Sequence, residues 1–253
     1  MKIEKVEGIV VSETNYSESS KILNIYTKEH GTIGVIAKGS RSLKSKLRSV
    51  STKLTYGFFQ MYYKEDSLST LISVDVINSL KNIKSDIKKI SYASYIIDLV
   101  VQVNKQCEED IFDLLRASLL KLEEGLDPLV ITNILEIKLL EVLGVMPSID
   151  CCSVCGSQSD IVTISVDQGG YLCKNCVTTE DKIYDEKVIK LLRMYYYVDI
   201  EKITKLEVKE NIEKEINEFL DLYYDKYTGL YLKSKNFLKK LNHLETLSST
   251  KQS

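Results

Sequence analysis

EKVEGIVVSETNYSESSKILNIYTKEHGTIGVIAKG, residues 4–39, is the stretch whose reading decides the fold. Its three apolar runs, 4–13, 21–29 and 31–39, are rich in Val, Ile, Tyr and Thr, residues that suit a pleated and partly buried surface. Asn15 and Ser17 to Ser20 break the first run from the second, and His30-Gly31 is tight enough for a hairpin. Two more runs of the same kind follow, LTYGFFQMYYK at 54–64 and STLISVDVI at 69–77. Five short strands with no long helix between them point to a small barrel rather than a parallel sheet. A five-stranded barrel of this size is an OB-fold.

From about Asn82 the period changes. Ile87, Ile90, Tyr95, Ile97, Leu99 and Val101 recur in a stretch without Gly or Pro, as do Ile111, Leu114, Leu115, Leu119 and Leu122, which predicts amphipathic helices. Gly125, Asp127 and Pro128 stop one helix and start the next, LVITNILEIKLLEVLGV, which ends at Gly144 and Pro147. Beyond a cysteine-bearing insert come DEKVIKLLRMYYY, LEVKENIEKEINEFLDLYYDKY and SKNFLKKLNHLE, then a tail, SSTKQS, with nothing to pack. The expected organisation is α+β: an OB-fold barrel over 1–80, then a mainly helical domain over 81–253 carrying the insert at about 148–180.

The barrel region also holds a segment unlike the rest of the chain. AKGSRSLKSKLRSVSTK, residues 37–53, contains Lys38, Arg41, Lys44, Lys46, Arg48 and Lys53 and no acid. The whole chain has 34 basic and 36 acidic residues, but residues 1–80 carry a net +3 and residues 81–145 a net −3. A polyanion-binding face must therefore be local. Lys and Arg spaced by Ser, Gly and Leu can follow a phosphate backbone, with hydroxyls and amides adding contacts that read no sequence. Five such contacts to a single strand predict a salt slope of about −3.5. Tyr16, Tyr26, Phe58, Tyr62 and Tyr63 offer faces on which unstacked bases could lie. Each feature also has a plainer reading: a solvated loop, and aromatics that fill the barrel or pair across strands.

Cys152-Ser-Val-Cys155 and Cys173-Lys-Asn-Cys176, seventeen residues apart, have the spacing of a zinc site. Two residues between thiolates let a tight turn aim both sulfurs at one ion, and two such turns complete a tetrahedron. Gly156 and Gly169-Gly170 fit a short hairpin that brings the pairs together. Cys151 leaves a three-residue gap to Cys155, a poorer spacing, so Cys152 is assigned and Cys151 is a spare thiol. Cys107 reads as a small core residue in a helix. Four thiolates fill the coordination of zinc, so the metal is expected to be structural.

At 44% hydrophobic and 28% charged residues, the 253-residue chain is ordinary for a folded protein able to bury a core without disulfides. The N-terminus has no continuous apolar run for a signal peptide, and Asp98 interrupts YIIDLVVQV, so no segment can span a bilayer. A cytoplasmic protein is expected, where paired cysteines are metal ligands rather than disulfides. His30 and His243 sit among polar neighbours and read as surface residues. GVIAKG at 34–39 begins like a phosphate loop but continues with Ser40-Arg41, and neither a Rossmann fingerprint nor a hydrolase or metalloprotease motif occurs. The chain reads as a non-enzyme that takes no small-molecule substrate.

These residues resemble a known family, the RecO recombination mediators of bacteria. EGIVVSETNYSESSKILNIYTKEHGTIGVIAKGSRSLKSKL is similar to the family's opening barrel. LEIKLLEVLGVMPSIDCCSVCG resembles its helix running into the first zinc knuckle, YLCKNC the second, and LKSKNFLKKL its C-terminal signature. The resemblance implies binding of single- and double-stranded DNA, annealing of complementary strands, nucleoid association and work with RecR. It also implies contact with the acidic, apolar C-terminal tail of single-strand DNA-binding protein, and help in loading RecA on coated DNA. Carried over by position, Cys152, Cys155, Cys173 and Cys176 match the zinc motif, and Lys38, Arg41, Lys44, Lys46 and Arg48 match the basic barrel loop. The alternative is a zinc-stabilised protein–protein adaptor whose basic loop captures an acidic tail rather than DNA.

Overall fold

A computed structural model describes residues 2–107 and 109–240. His243 and the tail SSTKQS lie outside the described residues. Five strands come first: β1 (Lys2–Asn15), β2 (Lys21–Thr27), β3 (Gly31–Ala37), β4 (Tyr56–Tyr63) and β5 (Ser69–Asn78). They close into a barrel in the order β1-β2-β3-β5-β4, the expected five-stranded OB-type sheet. At fourteen residues, β1 is long enough to serve two neighbours. It pairs antiparallel with β4 from Lys2–Tyr63 to Ile9–Tyr56, and with β2 from Gly8–Thr27 to Asn15–Lys21, with a bulge between Val10 and Ser12. The seam is short: β3 meets β5 in parallel only through Val35–Ser69 and Ile36–Thr70.

Val6, Val10, Leu23, Ile25, Val35, Ala37, Phe59, Met61 and Leu71 fill the barrel. Ile9, Val11, Tyr26, Leu54 and Tyr56 point the other way, into one continuous core with the helices. This double burial explains the unbroken run Gly8–Val11, which is buried at every position instead of alternating.

The helices are α1 (Lys81–Lys84), α2 (Ile87–Asn104), α3 (Phe112–Glu124) and α4 (Pro128–Val142), followed after the insert by α5 (Glu186–Tyr197) and α6 (Glu210–Tyr227). Residues 233–240 are again helical. Asp86, Asp127 and Asp185 cap α2, α4 and α5 by accepting first-turn amide hydrogen bonds, and Pro128 occupies the first turn of α4, where its missing N–H costs nothing. Helix α4 is apolar nearly all round because α2, α3, α5 and α6 surround it. Its buried Glu136 accepts a hydrogen bond from the Tyr95 hydroxyl and faces Lys235 at 3.6 Å, drawing the 233–240 segment onto the bundle. Cys107 lies just past the end of α2 rather than inside a helix, and packs half-buried against the core.

Polar contacts reinforce the junction of barrel and helices. Lys28 pairs with Asp113 at 3.0 Å, and Arg116 pairs with Asp113 at 3.1 Å and with Glu201. Behind them Tyr26 meets Phe112 with ring centroids 5.9 Å apart. No described helix is long and apolar enough to cross a membrane.

Because barrel and helices share a core, they are expected to unfold together. Phe112→Ala removes a fully buried ring at the junction and should cost about 3–5 kcal/mol. Urea denaturation followed by near- and far-ultraviolet circular dichroism should give one coincident transition at a lower midpoint. Two separated transitions, with one unmoved, would contradict the shared core.

Candidate nucleic-acid interface and metal centre

Between β3 and β4 the chain runs through successive tight turns, closed by backbone bonds from Ser42 to Gly39 (3.1 Å), Ser45 to Ser42 (3.1 Å) and Arg48 to Ser45 (3.2 Å). Serines suit such turns because their hydroxyls bond to nearby backbone. Ser45 Oγ accepts from the Leu47 amide at 3.2 Å, and Ser51 Oγ donates to the Leu47 carbonyl at 2.6 Å. Leu47 packs on the barrel core.

Both ends of the loop are fastened. Near its start, the Arg41 amide donates to Ser19 O at 2.9 Å and the Gly39 amide to Ser20 Oγ at 3.4 Å. Near its end, the Leu54 amide donates to Val10 O at 2.9 Å and the Val10 amide to Thr55 O at 3.0 Å. Lys21 Nζ reaches Ser51 O at 3.2 Å, and Lys53 Nζ reaches Ser94 Oγ on α2 at 3.2 Å. Lys53 thus anchors the segment rather than joining its exposed cations. The clamp from the Ser17–Ser20 turn was invisible in the sequence, where those serines signalled only a break.

Lys38, Arg41, Lys44, Lys46 and Arg48 are all exposed. Among the described residues none of them pairs with a carboxylate; Arg41 Nη1 instead donates to the Ser17 carbonyl at 2.7 Å. The backbone that carries the five cations is therefore held in place, with the Arg41 guanidinium on the Ser17 carbonyl, so a ligand has little main chain left to order.

The aromatic candidates separate. Tyr26 is 1% exposed and belongs to the shared core, so it offers no face to a base. Tyr63 stacks on His30 with centroids 4.4 Å apart, and His30 Nε2 meets Glu4 Oε2 at 2.9 Å, so His30 is a surface residue, as expected, held by two partners. Phe58 and Tyr62 lie on the outer face of β4, and Tyr16 projects from the turn between β1 and β2.

The cysteines sit in a three-stranded sheet, β6 (Ser148–Cys152), β7 (Ile161–Ser165) and β8 (Gly170–Cys173), in the order β6-β8-β7. A Cβ on Gly170 would stand 2.5 Å from Ser148 O, so only glycine lets β6 approach β8 this closely. Each pair forms a turn: Gly156 N bonds Cys152 O at 2.8 Å, and Cys176 N bonds Cys173 O at 3.0 Å. The sulfurs of Cys152, Cys155, Cys173 and Cys176 all lie within 4.8 Å of one another, with Cys155 and Cys173 3.6 Å apart. Metal–sulfur bonds of about 2.3 Å in a tetrahedron separate sulfurs by about 3.8 Å, so the four can hold a metal ion. All six cysteines are free thiols, and Cys151 turns away toward Ser148 Oγ at 3.5 Å.

Charge in the cluster is divided unequally. Burial raises the Cys152 thiol, but the backbone amides of Cys155, Cys173 and Val154 outweigh it and hold the thiol at about 6. The hydrogen bond with Cys155, then burial and contact with Cys173 and Cys152, push Cys176 up to about 12. Like charges compete for one small volume, and a divalent cation at its centre removes the conflict.

The insert is tied to the helices through side chains. Tyr171 donates to Ile189 O at 2.6 Å and Tyr227 to Val166 O at 2.8 Å, while Asp150 pairs with Arg193 at 3.0 Å and accepts from the Tyr197 hydroxyl at 2.9 Å.

Residues 1–80 match the family described as Recombination protein O N terminal, and residues 84–236 match Recombination protein O C terminal. The chain is 35% identical to the DNA repair protein RecO of Halalkalibacterium halodurans over 95% of this chain and 96% of that protein. It is 34% identical to the DNA repair protein RecO of Listeria monocytogenes serotype 4b over 97% of each, and 36% identical to that of Bacillus mycoides over 96% and 99%.

Stripping metal with a strong chelator, or Cys155→Ser, should lower the melting temperature by about 5–10 °C and open residues 148–180 to protease. Differential scanning fluorimetry and limited proteolysis with mass spectrometry read both effects. Identical melting and digestion before and after chelation would show that no bound ion braces the insert.

Proposed function

The chain belongs to the RecO family of DNA repair and recombination proteins, and from that premise we propose that it is a recombination mediator that grips DNA by charge and performs no covalent chemistry. The observation that carries this reading is the loop of 38–53: five exposed cations, none paired with a carboxylate among the described residues, on a segment fastened at both ends to the barrel. Annealing requires two polyanions to be neutralised side by side, and Lys38, Arg41, Lys44, Lys46 and Arg48 supply the cations. In this reading the protein binds single and double strands in the cytoplasm at the nucleoid, acts with RecR, meets the acidic tail of single-strand DNA-binding protein, and helps load recombinase. Cys152, Cys155, Cys173 and Cys176 hold a structural zinc. Four thiolates leave the ion no open position, so its contribution is to brace the insert against α5 and α6.

One observation favours the adaptor reading. Leu43, 83% exposed among the loop cations, presents an apolar surface that suits an acidic, apolar tail better than a phosphate. Measuring oligonucleotide and acidic-peptide binding separately on the same loop variant separates the two readings.

Replacing Lys44, Lys46 and Arg48 together with Glu deletes three of five contacts and should weaken single-strand binding by about 100-fold at 0.1 M salt. The side chains are exposed, so the melting temperature should hardly move. Fluorescence anisotropy with a labelled oligonucleotide gives the affinity. Undiminished DNA binding by a folded variant would refute the assignment, and selective loss of peptide binding would establish the adaptor.

A further inference from the structure

We infer that Tyr16 is the base-stacking residue of this interface and gives it a preference for single strands over duplex. The inference rests on the proposed DNA-binding role of the cationic loop and adds to it a contact with the base rather than the phosphate. Tyr16 lies in the turn joining β1 to β2, which closes on itself through a 2.9 Å bond from the Tyr16 amide to Ser20 O, with Ser17 at φ 70°. The same turn holds the start of the loop: Ser17 O accepts from Arg41 Nη1 at 2.7 Å, and Ser19 O accepts from the Arg41 amide at 2.9 Å. The ring of Tyr16 and the guanidinium of Arg41 therefore stem from one continuous surface. A nucleotide whose phosphate meets the loop would then bring its base to the turn that carries the ring.

Tyr16 is 50% exposed, and among the described residues its ring meets no other ring and its hydroxyl has no partner. The other aromatic candidates are committed or misplaced. Tyr26 is interior and Tyr63 is covered by His30. Phe58 lies opposite Glu7 and Asp75 in the sheet and already carries Lys5 Nζ 5.2 Å from its centroid. Tyr62 is six residues along β4 from Tyr56, roughly 20 Å from where the loop rejoins the sheet.

The charge of the turn points the same way. Glu18, exposed beside Tyr16, repels phosphate, so an approaching strand lays its backbone along the loop cations and its base toward the turn. Only unpaired bases have a free face to stack; in a duplex those faces are occupied by neighbouring pairs. Stacking on one aromatic ring is worth about 1–3 kcal/mol per base, which is about 5- to 150-fold in affinity. The loop cations, by contrast, serve both kinds of DNA.

The test measures a labelled dT oligonucleotide and a duplex of equal length across a salt series, with the unaltered protein, Tyr16→Ala and Tyr16→Phe. Tyr16→Ala should weaken single-strand binding by about 5- to 150-fold with unchanged salt slope, and leave duplex binding within about twofold. Tyr16→Phe keeps the ring and should bind like the unaltered protein, which separates stacking from hydroxyl chemistry and from misfolding. An oligonucleotide carrying 5-iodouracil should crosslink to Tyr16, identified by mass spectrometry. Equal losses for single strand and duplex, a flattened salt slope, or no change with Tyr16→Ala would each overturn the inference while leaving the loop reading intact. Failure of the unaltered protein to bind either DNA would instead sink the loop reading, and this inference with it.

Discussion

The burial of β1 on both faces is the constraint from which the rest follows. Val6 and Val10 face into the barrel, while Ile9 and Val11 face the helices. A strand so placed cannot slip by one residue without exchanging its two apolar sets, and it pairs with β4 up to Ile9 and with β2 from Gly8 onward, with a bulge between Val10 and Ser12 in the second ladder. The barrel is therefore not a module on a tether. It is one wall of the helical core, and the loop that leaves it is bonded back to β1 and to the turn before β2.

That anchoring gives the cationic loop its meaning. Val10 bonds to Leu54 and Thr55, so the same strand that organises both cores also ends the loop. Charge is distributed to match: the barrel region is net positive and the first helices net negative. In the proposed reading this asymmetry would draw a polyanion toward the barrel region rather than the first helices, which a uniformly basic protein could not arrange. The cysteine cluster plays a different part. Its sheet has a small core of its own, Cys152, Leu172 and Cys173, and depends on α5 and α6 through Tyr171, Tyr227 and Asp150.

Much of this was readable in the amino-acid order where the determinant was local. The β-branched runs around His30-Gly31 mark the first hairpins, Asp127-Pro128 marks the start of α4, and the two C-x2-C turns mark the sulfur cluster, because each is decided by residues a few positions apart. What depends on distant partners was not readable. The two-pair seam between β3 and β5 has no sequence signal of its own. The aromatic residues do not reveal that Tyr26 faces Phe112 while Tyr16 faces solvent, since what each ring meets is set by distant partners. The Lys28–Asp113 and Arg116–Glu201 pairs each join residues 85 apart, and no periodicity announces them.

The proposed grip on nucleic acid runs through five exposed cations that meet no carboxylate among the described residues, on a loop fastened at both ends. The most direct measurement is the salt dependence of single-strand binding by the unaltered protein. A plot of log affinity against log salt should be linear with a slope of about −3.5, because each phosphate contact releases a fixed share of condensed counterion. A slope near zero would mean that binding does not run through those charges, and would contradict the account.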